Sequence, residues 1–512
     1  MTACRGDSNV GRVSIERGPA PPLANRRVEV EGVSVPLAHF IGGRRVASRE
    51  GFTVRSPIDW ENWELAQLAA GGPEEVDQAV AAARRAFPAW AALGPEGRHV
   101  ALTRLAAAID AAVPDLARVD SVDNGSLREA MALRVLPRAA NNIRFFADYA
   151  VDRLEQAARS LPGGERNRVR HDPCGVVAVS TPWNAPFMLA TWRVGPALAA
   201  GNPIVLKTPE WAPLTCSLLG DLAEAAGLPA GVLNIVHGSG TGAGAPLTGH
   251  PGVDRVAFTG SPATARTVYR DAAAQLTPVS FELGGKSPFI VFADADLDAA
   301  AATAAYQYDN SGQVCLAGTR LLVEASAMAE FTERFTARVQ EIRVGDPRLQ
   351  DTTYGPLIHP VALERVTGHV QRAIDAGARL AFGGRSLGGL YYAPTLFTDI
   401  PAQAEILAHE VFGPVLTLQG FADEAEAIRL ANATDYGLAA TIFTGSESRA
   451  DRVSAAVVAG TVWVNCFYVR DLQTPFGGSR DSGIGREGGH HSFDFYCDVK
   501  TVCERTSEFT TR

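Results

Sequence analysis

Three side chains, far apart in the chain, stand in settings that suit chemistry. Cys315 lies in DNSGQVCLAG (309–318), shortly after Ser311, Gly312 and Gln313. A structural cysteine usually sits among Val, Leu and Ile as a small hydrophobe. Small polar neighbours, and a glycine that lets backbone approach a ligand, mark instead a thiol meant to be reached. Gly312 and Gln313 are expected to leave room at its entrance. Glu282 lies in FELGGKSP (281–288), between apolar residues and a glycine pair. A carboxyl there is desolvated, so its pKa should rise toward that of a working general base; the alternative is a glutamate paired with Lys286. Asn184, in STPWNAPF (180–187), follows a strand-like run beside Trp183 and between two prolines. A rigidly held amide there can donate to a developing oxyanion, or can simply form a turn.

Three further stretches suit a dinucleotide. VLKTPEW (205–211) ends a strand-like run with Lys207 and Glu210. Ligands bind at the carboxyl ends of parallel strands. A lysine can position ribose hydroxyls or phosphate there. A carboxylate can accept both ribose hydroxyls and would repel a 2′-phosphate. A solvated ion pair is the plain alternative. FTGSPATAR (258–266) reads as strand, Gly-Ser turn and helix start, and the free N–H groups of a helix N-terminus suit a pyrophosphate. An ordinary serine cap reads the same way. HGSGTGAG (237–244) resembles a dinucleotide loop imperfectly, since Ala243 stands at the third glycine position and the loop follows the third strand of the series.

The elements that must hold these residues alternate. Residues 73–112 are Ala-rich with apolar residues at helical spacing and read as two helices broken near Gly94-Pro95. Strand-like runs at 174–182, 203–209, 231–238 and 253–261 are separated by helical runs at 188–201 and 212–227, with another helix after 261. Further strands are predicted at 285–292, 319–324, 415–421, 439–445 and 461–465. Strands alternating with helices of 10–15 residues imply a parallel sheet covered on both faces. The fold class is α/β.

Composition narrows the partners. The 512 residues exceed one ordinary core, and 46% hydrophobic with 20% charged residues fits a globular protein. A net charge of −9 with no basic stripe argues against nucleic acid. No apolar run of about 18 residues would span a bilayer. The seven cysteines are scattered, with no C-x-x-C. That argues against disulfides or zinc and for a reducing cytoplasm, and the first thirty residues lack the apolar stretch of a secretory signal. The ten histidines show no ligand spacing, and His490–His491 reads as surface or interface.

Taken together, TPWNAPF, LKTPE, FTGS, ELGGKSP, GQVCLAGTR, EVFGPV and PFGGSRDSGIGREGG resemble, in order and across nearly all of residues 38–503, the NAD(P)-dependent aldehyde dehydrogenases. The resemblance implies a Rossmann-like dinucleotide-binding domain, an α/β catalytic domain and a small β oligomerisation flap. It implies Cys315 as nucleophile, Glu282 as general base and Asn184 as oxyanion donor. It places Lys207 and Glu210 at the adenosine ribose of NAD, Gly260 and Ser261 at the pyrophosphate, and Glu410 and Phe412 at the nicotinamide ribose and ring. Trp183, Pro209, Gly240, Thr259, Leu283 and Gly284 are further cofactor-binding positions it implies. Expected boundaries are an unordered extension at 1–36, the dinucleotide domain at 37–150 and 172–281, the catalytic domain at 282–475, and the flap at 151–171 and 476–512. A homodimer or homotetramer follows, with a small aldehyde as partner and neither nucleic acid nor membrane.

Within the family, YDNSGQVCLAGTRLLVE, RVGDP, GPLIHP, YVRDLQTPFGG and GREGGHHSFDFY look like the hydroxymuconic semialdehyde dehydrogenase branch. That implies Arg470 at a substrate carboxylate, with Arg134 or Arg138 as a second cation, and Met188, Trp192 and Leu316 along the aldehyde tunnel. Tyr308 and Asp309 are further candidates to touch the aldehyde. Gln473 stands where the branch has an arginine. Two other readings remain. A CoA-acylating enzyme would commonly lack the base that Glu282 provides, and a non-catalytic scaffold would have lost the reactive thiol or its partners.

Overall fold

The protein is described as a computed structural model over residues 26–154, 158–162 and 164–505. Five short runs rich in Val, Ile and Ala form a parallel series: Val177–Ser180, Ile204–Lys207, Leu233–Val236, Arg255–Thr259 and Val279–Glu282. In space their order is third, second, first, fourth, fifth. Val177 pairs with Ile204 on one side and Arg255 on the other. The order reverses at the first strand, and a crevice at such a switch point is where a doubly wound sheet takes its ligand. The residues that leave the first and fourth strands there are Thr181–Asn184 and Gly260–Ser261.

Helices cover both faces. Pro186–Ala200 is apolar nearly all round and almost wholly buried, as a helix through the middle of a large core must be. It ends at Gly201, whose φ of 102° suits only glycine well. Pro262–Ala273 starts from Ser261, whose Oγ accepts from the Thr264 N–H at 3.2 Å, with Pro262 at the first helical position. The two helices expected across 73–112 run Pro73–Ala92 and Gly94–Asn124, the second ending at Gly125.

A second sheet has the spatial order Arg379–Phe382, Thr395–Thr398, Val415–Phe421, Arg320–Glu324, Pro288–Val291, Ala439–Phe443, Thr461–Val464. All are parallel except the edge strand Arg379–Phe382. The chain passes from the first sheet to the second directly after Glu282, so Gly284 to Ser287 lie at the seam. A three-stranded antiparallel sheet pairs Glu165–Pro173 with Cys497–Arg505 and Arg159–Ser160.

Two expectations are corrected. Residues 27–36 are not an unordered tail. Arg27–Val30 and Val33–Pro36 form a hairpin whose Val30, Val33 and Val35 are buried in the main core; residues 1–25 lie outside the described residues. The stretch 476–496 is not part of the flap. Gly483–Ile484 pairs with Phe281 and Glu282 at the edge of the first sheet, and the helix Gly489–Tyr496 packs on that domain through the buried Phe493 and Tyr496. The strands Val279–Glu282 and Thr395–Thr398 were not expected.

Candidate active site

A cavity of about 890 Å³ opens between the two sheets at the switch point. Its walls bring together Asn184, Glu282 and Cys315 from three different elements. Also on its walls are Trp183, Met188 and Trp192, then Thr259, Gly260 and Ser261, then Leu283, Gly284, Leu316, Glu410 and Phe412, and finally Arg134, Arg138 and Arg470. Lys207, Pro209, Glu210 and Gly240 are not among its lining. They stand next to one another at the ends of the second and third strands, where Gly240 N–H donates to Glu210 Oε2 at 3.0 Å.

Cys315 is held by a loop that the fold over-determines. Asn310 and Ser311 both have left-handed backbone, with φ of 50° and 58°, a conformation that persists in such residues only when the surroundings enforce it. Asn310 Nδ2 donates to the Asn184 carbonyl at 3.2 Å, and Ser311 Oγ to the Gly355 carbonyl at 2.6 Å. Gln313 is fully buried. Its Oε1 accepts from the Ile358 N–H at 3.0 Å and its Nε2 donates to the Asn310 carbonyl at 3.1 Å. Gly312 and Gln313 therefore do not leave room for a ligand, as the sequence suggested. The glycine is there for protein backbone: a Cβ on Gly312 would lie 2.2 Å from the Gly413 oxygen, at a φ of +67°. Gly312→Ala is expected to destabilise the fold by about 2–4 kcal/mol, from left-handed strain plus overpacking, read as a lower midpoint in urea unfolding.

The electrostatics of the three groups are coupled. Burial pushes the Cys315 thiol up to about 12, with the Glu410 and Glu282 carboxylates adding to the rise. Glu282, the last residue of its strand, is raised by burial to about 7, while Arg193, Arg470 and Arg486 pull it back. Its Oε1 has no hydrogen-bond partner among the described residues. The alternative pairing with Lys286 does not occur. Lys286 Nζ has no hydrogen-bond partner among the described residues, and the carboxylate that acts on it is Glu410. Asn184 Nδ2 donates to the Gln313 carbonyl at 2.9 Å. That uses one of its two amide hydrogens and fixes the direction of the other.

Sequence reasoning missed what lies beneath Glu282. Arg193 and Glu487 form a completely buried ion pair, and Arg193 Nη1 also donates to Ser280 Oγ at 3.0 Å. The Trp192 indole N–H donates to Glu487 as well. A signal was present: an arginine in the middle of the otherwise apolar helix MLATWRVGPALAAG needs a buried partner.

On the cofactor side, Glu410 is raised to about 7 by burial, and its Oε1 accepts from the Gly285 N–H at 3.0 Å. A Cβ on Gly284 would lie 2.1 Å from Glu410 Oε2. The Phe412 ring, on a residue with φ of 54°, meets Trp183 edge-on at 5.4 Å. Burial lowers Lys207 to about 8, with Glu210 opposing. Its ammonium has no hydrogen-bond partner among the described residues, and one Glu210 oxygen remains free. An unspent cation, a free carboxylate oxygen and the capped helix start at Ser261, all along the carboxyl edge of one sheet, fit the donor set that a dinucleotide requires.

On the opposite side, Arg470 has its guanidinium 3.8 Å from the Phe476 ring centroid and 4.8 Å from that of Trp192. It makes no salt bridge among the described residues, so the surface-pair alternative does not occur. Arg138 lies over Tyr468 at 5.5 Å. Arg134 is exposed and donates to the Tyr306 hydroxyl at 2.6 Å. Gln473, at the departure from the branch pattern, accepts from Arg153 Nη1 at 2.7 Å. Tyr308 does not line the cavity: it is buried, and its hydroxyl donates to the Thr395 carbonyl. Phe467, Tyr468 and Tyr306, which the sequence did not single out, take that wall. Away from the cleft, His171 comes beside His490 and Asp494 where the flap strand meets the last helix, with ligand-type atoms within 4.8 Å of one another. The described cysteines are all free, and no helix among the described residues is long and apolar enough to cross a membrane.

A thiol, a desolvated carboxyl and an oriented amide line one cleft at the switch point of a doubly wound sheet, where such a sheet takes a nucleotide. The chain belongs to the aldehyde dehydrogenase family, whose profile matches residues 45–502. It is 42% identical over 481 residues to a 2-hydroxymuconic semialdehyde dehydrogenase of Pseudomonas sp. strain CF600, covering 91% of this chain and 99% of that one. It is 40% identical over 466 residues to the 5-carboxymethyl-2-hydroxymuconate semialdehyde dehydrogenase of Escherichia coli, covering 89% and 98%. Among solved structures, HpcC from Thermus thermophilus superposes with a TM-score of 0.89 at 40% identity, covering 93% and 97%. The P. syringae indole-3-acetaldehyde dehydrogenase AldA, in complex with NAD+ and IAA, superposes with a TM-score of 0.90 at 36% identity, covering 93% and 97%.

Proposed function

We propose that the protein oxidises an aldehyde that carries a carboxylate, of the muconic semialdehyde type, to the acid, with NAD as acceptor. The observation that carries the substrate reading is Arg470: a half-buried guanidinium stacked on Trp192 and Phe476, with no salt bridge among the described residues, inside the cavity that holds Cys315. A desolvated cation is costly unless something pairs with it, and a substrate carboxylate is the natural partner. Relatives named for muconic semialdehydes support the same class.

In this reading Cys315, once deprotonated, attacks the aldehyde carbon. The resulting oxyanion is met by the free Asn184 amide hydrogen and by the Cys315 N–H. Lys207, Glu210 and Ser261 would hold the adenosine and pyrophosphate portions of NAD, while Glu410 and Phe412 would face its nicotinamide end, where the cofactor would supply the hydride acceptor. A thioester on Cys315 remains, and Glu282 takes a proton from the water that hydrolyses it. The presence of Glu282 favours hydrolysis over transfer to CoA. A cytoplasmic location and a homodimer or homotetramer assembled through the flap complete the reading.

The test is a panel of carboxylated, linear and aromatic aldehydes followed at the NADH band. NADH from carboxylated aldehydes supports the proposal, and its absence with folded, NAD-binding protein sinks it. Arg470→Ala is expected to raise KM for carboxylated aldehydes about 10- to 100-fold, the worth of a lost charge-assisted pair, with little change for neutral ones. An equal rise for both removes the carboxylate contact. Glu210 sets the cofactor preference: Glu210→Gln should raise the efficiency ratio of NADP to NAD about tenfold, by relieving repulsion of the 2′-phosphate. Equal use of the two cofactors by the unaltered protein would overturn that assignment.

A further inference from the structure

We propose that Asp309 is a specificity-determining residue of the aldehyde tunnel. It accepts a hydrogen bond from a hydroxyl or amino group beside the substrate's carboxylate and disfavours substrates with a second carboxylate. This rests on the reading of the cleft as the site of a carboxylated aldehyde.

Asp309 lines the cavity six residues before Cys315. Its direction is set by the same strained loop that holds the thiol, since Asn310 and Ser311 follow it in left-handed backbone and are pinned by side-chain hydrogen bonds. Its neighbours are arranged in a relay. Arg134 Nη1 donates to the Tyr306 hydroxyl at 2.6 Å. Burial raises the Asp309 carboxyl, and Arg134, the Tyr306 hydroxyl and the Asn310 N–H, all close to it, act the other way and favour its charged form. A carboxylate offers about four acceptor positions, so two donors leave acceptor capacity for a donor in the tunnel.

Tyr468 locates that capacity relative to the chemistry. Its phenol interacts electrostatically with Arg138, Cys315, Asp309 and Arg470. Arg138 stacks over its ring at 5.5 Å, and all four groups share the cavity wall with it. Tyr468 has φ of 64°, uncommon for a bulky residue and held at sites that over-determine it. A substrate with its aldehyde at Cys315 and its carboxylate toward Arg138 and Arg470 passes Tyr468 with Asp309 on the same wall. Arg138 and Arg470 are free to take one carboxylate, whereas the charge of Asp309 faces Arg134. A second carboxylate would meet Asp309 in a poorly solvated site, where like charges repel strongly. A hydroxyl or amino group would meet an acceptor.

The test compares KM for 6-oxohexanoate, 2-hydroxy-6-oxohexanoate and 2-carboxymethyl-6-oxohexanoate in the unaltered protein, Asp309→Asn and Asp309→Ala. Asp309→Ala should raise the KM ratio of hydroxylated to plain substrate about tenfold, the worth of a hydrogen bond to a charged acceptor. Asp309→Asn, which keeps the shape and loses the charge, should lower the ratio of dicarboxylated to plain substrate by a similar factor. Ratios unchanged within twofold, with all KM values moving together, overturn the assignment and leave Asp309 as a prop for Arg134 and Tyr306. If the unaltered protein turns over none of the three, the aldehyde reading falls. Binding of hexanoate, 2-hydroxyhexanoate and butylsuccinate, followed by tryptophan fluorescence, then decides Asp309 by the same ratios.

Discussion

Cys315→Ala protein is expected to bind NAD and to form no NADH, with kcat lowered by at least about 10⁴-fold, as when a covalent nucleophile is removed from a unit that works together. The thiol in the free protein is pushed up to about 12 by burial, helped by Glu410 and Glu282. At pH 7 only about one molecule in 10⁵ would then carry a thiolate, the form that attacks. The nucleophile must therefore be generated on demand, and the group equipped to take its proton is Glu282, whose own pKa near 7 lets it accept at neutral pH. Iodoacetamide should label Cys315 slowly in the free protein, and faster in Glu282→Gln, where one of the negative neighbours is gone. Turnover by Cys315→Ala within tenfold of the unaltered protein would remove the thiol from the mechanism. Cys315→Ser should behave like Ala, because a serine hydroxyl with no stronger base beside it is a poorer nucleophile still.

The parallel sheets were legible because Val- and Ile-rich runs alternate with Ala-rich helices, and period and composition suffice for that pattern. The switch point was legible once the strands were ordered, since TPWN and FTGS follow the first and fourth of them. What stayed hidden depends on distance in space rather than spacing in sequence. The four-residue strand Val279–Glu282 carries too little pattern to be told from a loop. Arg193 and Glu487 are 294 positions apart, and neither announces the other. Tyr308 and Tyr306 look alike in sequence, yet the turn between them sends one into the core and the other to the tunnel. The glycine before Cys315 was read as space for a ligand and is space for the Gly413 carbonyl, a distinction only the fold can make.

Glu282→Gln separates two roles that the geometry gives one carboxylate. Hydrolysis of the thioester needs a base within the dry part of the cleft, so the variant should lose about 10²- to 10⁴-fold in steady-state turnover, the usual worth of general base catalysis. A single burst of NADH should persist when the protein is mixed at high pH, where the thiolate forms without Glu282. In the unaltered protein the rate should rise with pH through a limb near 7, and that limb should vanish in the variant. Stability carries an independent signature. The folded-state pKa, near 7, lies above the 4.5 of an unperturbed glutamate because burial disfavours the charged form. Ionising Glu282 therefore costs the native state stability as pH climbs from 4.5 to 7, and the cost is fully present above 7. The glutamine variant escapes it. Relative to the unaltered protein it should gain up to about 3 kcal/mol between about pH 4.5 and 8 in urea unfolding, becoming more stable as it becomes inactive. A variant whose stability relative to the unaltered protein does not change with pH would mean that Glu282 is solvated in the free protein, and the burial that tunes it as a base would have to come from bound NAD instead.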